Sequence, residues 1–422
     1  MKTLVALLLG LAAMLTPAKA AERPNIVLII SDDHAHTDYG FMGNAAVRTP
    51  HLDRMAAQSL LYPRGYVMPV CSPSLASLLT GRLPHQHGIT GNDLSGAARA
   101  ERGALADKLL ANPFILPKAL SDSGYLTFQS GKLWNTTYRQ VGFTHGMTDT
   151  AGRHGDAGLS IGRKGLKPML DFIDEATAAK KPFFVWYAPL LPHDPHNPPE
   201  RLLKKYRGKG PTPDAEKYHA MVEWFDETCG ELDAHLAQRG LTDETIVLYL
   251  ADNGWDGARG YKGKRAKLTP YETGIRTPIF IRWPGKVDAQ RDDRTLASII
   301  DIVPTILKHA GIPVPADMPG IDLADLPAMR KREAVFVESY THDIADLTAP
   351  EKSLLAHVVI RGSHKLLLPG DAMPDRPFST KPSGPELFDL QADPGETRNL
   401  AAEKPDLVRE MSLLLQSNWK KP

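Results

Sequence analysis

The sequence predicts an α/β fold: a mostly parallel central sheet with helices on both sides, followed by a small antiparallel unit at the C-terminal end. Three observations carry that prediction. Strand and helix signals alternate from Pro24 onward. The strand signals are nearly continuous apolar runs, as strands buried on both faces require. Beyond Gly311 the chain turns rich in Pro, Asp and Ala until Arg330, and short strand-like segments follow.

The apolar runs are Asn25 to Ile30, Phe183 to Tyr187 and Thr245 to Leu250. Helical stretches lie around Leu52 to Leu60, Ser74 to Leu79, Ile115 to Ser121 and Ala215 to Arg239. Strands separated by helices imply parallel pairing with right-handed crossovers, and ligands then sit beyond the carboxyl ends of the strands. Leu296 to Leu307 reads as a helical element interrupted or restarted at Pro304. The division expected is a signal segment over 1–20, a large domain over 21–330 and a C-terminal unit over 331–422. In the last, Ala334 to Glu338, His357 to Arg361 and Lys365 to Leu368 read as strands and Pro405 to Trp419 as a helix.

Of 422 residues, 42% are hydrophobic and 23% charged, which excludes disorder and allows one large domain plus a smaller one. Met1-Lys2, an apolar stretch from Leu4 to Leu15 and Ala18-Lys19-Ala20 read as an export signal cleaved before Ala21. That places the mature chain in the periplasm or outside the cell. The apolar stretch is too short to span a bilayer, so the mature protein is expected to have no membrane span. Without Lys2 and Lys19 the 50 basic residues become 48 against 49 acidic ones, a balance that implies no nucleic-acid partner. Cys71 and Cys229 are the two cysteines. An oxidising compartment allows a disulfide between them, but Cys229 falls on the apolar stripe of a helical pattern and is better read as a core residue.

The chemistry concentrates in a few segments. Cys71-Ser72-Pro73-Ser74 precedes an apolar helical run. Pro73 suits a first helical turn and Ser72 can cap it, so Cys71 is expected at a helix mouth, where free N–H groups and the positive dipole end favour an anion. Asp32 and Asp33 follow the first apolar run, and Asp252-Asn253 follow another. Adjacent carboxylates repel unless a cation joins them, and four oxygen-bearing side chains at two strand ends suit a hard divalent cation. His193, in Leu191-Pro192-His193-Asp194-Pro195-His196, follows the Phe183 to Tyr187 run. Its imidazole titrates near neutral pH and can protonate a leaving alcohol. Lys132 follows Gly131 after an apolar segment, and Lys267 lies in a basic loop with Lys262, Lys264 and Arg265.

Together these segments resemble type I sulfatases of the alkaline phosphatase superfamily. Cys71 to Arg82 is similar to the family signature C-x-P-x-R with L-L-T-G-R, in which the cysteine becomes formylglycine; Leu75 stands at the arginine position. Ser130-Gly131-Lys132 resembles the family's G-K-W-H-x-G, with Trp134 at the histidine position and Asn135 beside it. His193 matches the P-H-x-P loop. Lys267 precedes Tyr271-Glu272 at the spacing of K-x-x-x-Y-E-x-G-x-R-x-P, an alignment that could slip to Lys264. The stretch around Asp301 and the segment Glu386 to Leu390 match further family motifs, so the resemblance runs in unbroken order from Pro24 to Asn399.

The resemblance implies an alkaline-phosphatase-like α/β sandwich that hydrolyses the sulfate ester of a small molecule or glycan. It implies Cys71, Lys132, His193 and Lys267 as catalytic residues. Asp32, Asp33, Cys71, Asp252 and Asn253 would bind calcium, with magnesium as the alternative, and a formylglycine-generating or sulfatase-maturating enzyme would be a partner. Three rival readings differ in class. A two-metal phosphoryl transferase would favour histidine where neutral Asn253 stands. A formylglycine-dependent phosphonate or phosphodiester hydrolase would share the pocket. A sulfated-glycan binder without turnover would keep the carboxylates and their cation.

Overall fold

A computed structural model describes residues 23–96, 102–133, 136–149, 157–257 and 265–419. The expected export signal, Trp134, Asn135, Lys262 and Lys264 lie outside the described residues. Among the described residues fifteen strands occur in chain order: β1 (Asn25–Ser31), β2 (Leu60–Tyr66), β3 (Asp93–Leu94), β4 (Leu126–Gly131), β5 (His145–Gly146), β6 (Phe183–Ala188), β7 (Thr245–Ala251), β8 (Arg276–Arg282), β9 (Gln290–Arg291), β10 (Ala297–Ser298), β11 (Val335–Tyr340), β12 (Asp343–Ile344), β13 (Leu354–Arg361), β14 (His364–Pro369) and β15 (Glu386–Asp389).

The central sheet runs β10-β2-β8-β7-β1-β6-β4-β5, with β9 also on β2. From β7 to β5 every pairing is parallel, whereas β8 runs antiparallel to both β7 and β2. The three apolar runs read from the sequence are the central strands β1, β6 and β7, all fully buried. Their side chains alternate between two cores. Ile26, Leu28, Ile30, Phe184 and Trp186 face one, where Leu75, Leu78 and Leu79 of the helix Cys71–Thr80 pack. Val27, Ile29, Val185 and Tyr187 face the other, against Met221, Phe225, Leu232 and Leu236 of the helix Pro213–Gln238. Each such leucine contributes about 1.5–3 kcal/mol by leaving water. Cys229 lies in this second core, and both cysteines are free thiols.

A second sheet, β11-β13-β14-β15, is antiparallel, and the helix Pro405–Asn418 covers it through Met411 and Leu415. A two-stranded parallel pair, β3 with β12, ties the chain after the Cys71 helix to the chain after β11. No helix among the described residues is long and apolar enough to cross a membrane.

Several local expectations need correction. The first helix, Pro50–Ala57, ends before Leu60, which opens β2. β2 carries Pro63 and Gly65, residues that weaken a strand signal, yet it pairs with β8 on one side and the short β9 and β10 on the other, with a register shift between Tyr62 and Gly65. Leu296 to Leu307 is not one helix broken at Pro304: β10 and a 3-10 turn come first, and Pro304 sits in the first turn of Ile302–His309, where its missing N–H costs nothing. Ser72 does not cap its helix. Val70 occupies the cap position and the Ser72 hydroxyl is buried without a hydrogen bond. The segment after Gly311 follows the edge of the large sheet, with Asp317 paired to Arg82 at 2.7 Å and the short helix Leu326–Arg330 within it.

Candidate active site

β1 and β7 are parallel neighbours in a register that sets Ser31 beside Ala251. The next residues, Asp32 and Asp33 on one strand and Asp252 and Asn253 on the other, therefore leave the sheet at the same carboxyl edge. Asp33 turns there with φ 56, a left-handed conformation that costs roughly 1–3 kcal/mol for a residue with a Cβ. Its N–H donates to Asp252 Oδ1 at 3.2 Å, and Asn253 Nδ2 donates to Asp33 Oδ1 at 2.8 Å. Four oxygens remain: Asp32 Oδ2, Asp33 Oδ2, Asp252 Oδ2 and Asn253 Oδ1 are all buried without a hydrogen-bond partner. Buried oxygens are rarely left so, since each costs about 1–3 kcal/mol unless something fills its place. Hard oxygens from four side chains at one strand edge fit a divalent cation of the calcium or magnesium kind.

Three cationic side chains surround these carboxylates. Lys132, 1% exposed, follows Gly131, whose φ is 80; a Cβ there would stand 1.7 Å from Ala188 O, so only glycine allows the chain to turn from β4 towards the site. The Lys132 ammonium donates to Asp32 Oδ1 and lies 3.6 Å from Asp252 Oδ2. Burial works against its charge, but Asp32, Cys71 and Asp252 more than offset this and raise its pKa. Lys267 reaches Asp33 Oδ1 at 2.5 Å, its backbone fixed by Leu268 N–H donating to Pro69 O at 2.8 Å.

His193 comes from the loop after β6, which is sewn to the strand edge by Asp32 N–H donating to Leu191 O at 3.0 Å. Its Nδ1 lies 2.7 Å from Asp194 Oδ1 and its Nε2 3.4 Å from Asp33 Oδ2. Burial lowers its pKa, but Asp32 and Asp33 reverse this and leave it raised. With its pKa raised, His193 fits a proton donor better than a third ligand beside Asp32 and Asp33, although its atoms approach theirs within 4.8 Å.

Among the carboxylates, Asp33 and Asp252 diverge. Burial would raise Asp33, yet Lys267, His193 and Lys132 hold it well below the usual range. Burial, then the charge of Asp32, pushes Asp252 up to about 7. Cys71 opens its helix as expected, 3% exposed.

Two residues beside the site escaped the sequence reading. Arg163 clamps the His193 loop, donating to His193 O at 2.7 Å, Leu190 O at 2.9 Å and Asn197 Oδ1 at 2.5 Å. Asn92 Oδ1 accepts from Ser72 N–H at 3.1 Å and lies 3.4 Å from Cys71 Sγ. Neither carries a local signal, because their partners lie about 20 to 30 residues away. His196 stands apart from the carboxylates, its ring against Tyr218 and Trp255 and its Nε2 buried without a partner. His85 and His87 are buried away from the carboxylate edge: His85 pairs with Glu338, and His87 Nε2 contacts Ser77 Oγ at 3.2 Å.

The sulfatase family pattern matches residues 24–312. The chain belongs to the sulfatase family. A second pattern, described as N-sulphoglucosamine sulphohydrolase, C-terminal, matches residues 257–420. The N-acetylgalactosamine-6-sulfatase of Canis lupus familiaris is 30% identical over 75% of this chain and 68% of its own length. Arylsulfatase A of Homo sapiens is 29% identical over 97% of this chain and 89% of its own. Among solved structures, a protein in complex with its substrate D-glucosamine-2-N,6-O-disulfate superposes with a TM-score of 0.74 at 20% identity, covering 95% of this chain and 98% of its own. The fold is thus that of the solved sulfatases, and the sulfatase is a sulfuric ester hydrolase.

Proposed function

We propose that this sulfatase cleaves a sulfate ester on a carbohydrate, in the periplasm or outside the cell, with residue 71 matured from cysteine to formylglycine by a maturating enzyme. The observation that carries the reading is the set of four unpartnered oxygens on Asp32, Asp33, Asp252 and Asn253, at the same strand edge as Lys132 and Lys267 and with Cys71 among the charges that act on Lys132. The carbohydrate class is supported by relatives that carry amino-sugar sulfatase names and by the fold shared with a protein solved with a disulfated glucosamine. The division at about residue 330 is part of the same reading.

Asp32, Asp33, Asp252 and Asn253 would hold calcium, or magnesium, which when bound supplies positive charge beside the nucleophile. A hydrated formylglycine supplies a hydroxyl that attacks sulfur and a second hydroxyl whose proton is lost when sulfate leaves. The residues of the chain do the rest. Lys132 and Lys267, buried and charged, hold sulfate oxygens and balance the charge that develops on them. The helix that opens at residue 71 adds the positive end of its dipole to the same end of the site, its Ser72 N–H being held by Asn92 and Pro73 having none. His193, kept protonated by the carboxylates, hands its proton to the departing alcohol oxygen. Asp252, whose pKa is raised where that of Asp33 is lowered, is the carboxylate suited to take one from residue 71.

The test is peptide mass spectrometry across residue 71, with aryl sulfate and aryl phosphodiester assays on the same preparation. Replacement of sulfur by oxygen, with faster turnover of the sulfate, supports the reading. An unmodified thiol in protein that still turns over sulfate removes formylglycine from it. Faster turnover of the phosphodiester transfers the site to that ester, and cation binding without any turnover makes the protein a glycan binder.

A further inference from the structure

Asn92 stands between the residue 71 helix and a group of charged side chains that the reaction as described does not use. Its Oδ1 accepts from Ser72 N–H at 3.1 Å and lies 3.4 Å from Cys71 Sγ, so one carbonyl oxygen both caps the helix that Val70 leaves uncapped and meets the nucleophile's side chain. Its Nδ2 lies 3.2 Å from His342 Nε2. The contact is imposed by the fold. β3 pairs with β12 so that Asp93 faces Asp343, and Asn92 N–H donates to His342 O at 2.8 Å.

The hydrogen bonds fix each orientation from both ends. Ser72 N–H can only donate, so Asn92 must present its oxygen there and its amide nitrogen to His342. His342 Nε2 must then accept, which puts the ring proton on Nδ1, where Asp343 Oδ1 accepts it at 2.6 Å, while Arg376 Nη2, 3.1 Å from the same nitrogen, donates to Asp343 instead. Arg376 Nη2 pairs with that carboxylate, 2.9 Å from Asp343 Oδ1. Asp375 receives the N–H groups of His342 and Asp343 at 3.0 and 2.9 Å. Arg376 supplies the cation that Asp93, His342 and Asp343, gathered within 4.8 Å, would otherwise call for.

We propose that Asn92 is a positioning residue for residue 71: its side-chain oxygen orients the nucleophile, and His342 of the C-terminal unit, backed by Asp343 and Arg376, holds the amide in that orientation. The C-terminal unit thereby takes part in aligning the reaction and is more than a cover for the sheet edge. The proposal deepens the reading of residue 71 as the nucleophile and rests on it.

The test separates the two. In unconverted protein carrying Cys229→Ala, the S–H stretch of Cys71 is read by infrared spectroscopy. Asn92→Ala is expected to move the band to higher wavenumber, as a thiol that has lost its acceptor does, and an unmoved band overturns the contact. In matured protein, rates are divided by the converted fraction of residue 71. Asn92→Ala is expected to lower kcat by about 100-fold with KM within about two-fold, the size expected when a reacting group loses its alignment. His342→Leu is expected to lower kcat about ten-fold, and His342→Gln, whose side-chain oxygen can still accept from Asn92, to restore most of it. A kcat within two-fold of the parent for both Asn92→Ala and His342→Leu overturns the proposal. So does a loss confined to KM, or a Gln variant no better than Leu. If Asn92→Ala does not fold, the two His342 variants decide alone. A converted parent enzyme that turns over no sulfate sinks the nucleophile reading, while the infrared arm still reports on Asn92.

Discussion

Two clusters of buried charge lie in this sulfatase, and they are built oppositely. At the edge of β1 and β7, three carboxylates meet Lys132, Lys267 and His193, yet four oxygens have no hydrogen bond. Where the large and small sheets meet, Lys365, fully buried in β14, lies 3.3 Å from Glu272 Oε1 and 2.8 Å from Glu396 Oε1. There Glu272 Oε2 also receives the Tyr66 hydroxyl at 3.3 Å, and Glu396 Oε2 receives Glu272 N–H at 2.8 Å. Burial would raise Glu272, but Lys365 and Arg276 hold its pKa below the usual value. The second cluster answers its carboxylates largely from within the chain, for Glu396 Oε1 has no hydrogen bond but faces the Lys365 ammonium at 2.8 Å, and so it holds two sheets together. The first leaves oxygens over, and leftover buried oxygens are the mark of a site made for something else.

The largest effect that can break this contrast is cation removal. Chelation is expected to lower sulfatase activity by about 1,000-fold, the scale seen when a preorganised charge at a reacting group is lost, with calcium restoring it. Saturating cation should also stabilise the fold by about 2–3 kcal/mol at a hundred-fold excess over Kd. That stabilisation carries a pH signature. In the cation-free protein Asp252 is raised from 3.8 to about 7, so the folded state favours its protonated form. The associated stability is present below about pH 4 and is lost as pH rises to 7. Asp33, whose pKa is lowered, acts oppositely, and its contribution is lost only as pH falls below 4. Melting temperatures with and without calcium should therefore diverge progressively from pH 4 to 7. Curves that stay parallel would mean that the unpartnered oxygens hold no cation.

The intermediate effect sharpens the contrast from the other side. Lys365→Met leaves Glu272 and Glu396 buried beside each other without their shared cation, and the expected loss is about 3–5 kcal/mol of stability. Chelation should not change that loss. Because Glu272 is lowered from 4.5 in the fold, the stability it draws from Lys365 is present above that pH and fades as pH falls further. Denaturant unfolding of parent and variant at pH 7 and pH 4 measures this. An equal loss at both pH values would show that Lys365 acts by packing alone.

These contrasts were unevenly legible in the sequence. β1, β6 and β7 could be read because strands buried on both faces write themselves as unbroken apolar runs, and the carboxylates after β1 and β7 could be placed because ligands gather at strand ends. β2 could not be read that way: Pro63 and Gly65 interrupt its pattern, and its place is set by β8, more than 200 residues away. The expected Ser72 cap does not form because the position that caps a helix is decided by where the helix begins, and Cys71 is itself the first helical residue. Asn92, Arg163 and the Glu272–Lys365 pair are long-range partners whose roles exist only after folding. Residues that keep one oxygen without a hydrogen bond, such as Asp32 and Asp252, left a clearer trace than residues whose role is to pair at a distance.

The smallest effect concerns Leu75, which stands where related sulfatases carry arginine. An arginine there could add a cation to the carboxylate edge and bring it closer to the balance of the Lys365 cluster. The surroundings of Leu75 argue otherwise. It is 2% exposed and lines a slot of about 10 Å³ that is apolar except for Ser72, with Ala76, Leu79, Ile89, Leu105, Leu109 and Leu133. A guanidinium cannot fit so small a space without displacing these side chains, and no carboxylate lines the slot. Leu75→Arg is therefore expected to cost about 1–3 kcal/mol from overpacking, and more if the charge stays inside, with no gain in kcat. Thermal melting and aryl sulfate kinetics on the same variant check both parts. A raised melting temperature with faster turnover would show that the new side chain escapes towards Asp32 and Asp252, and that a further cation at the strand edge speeds the enzyme.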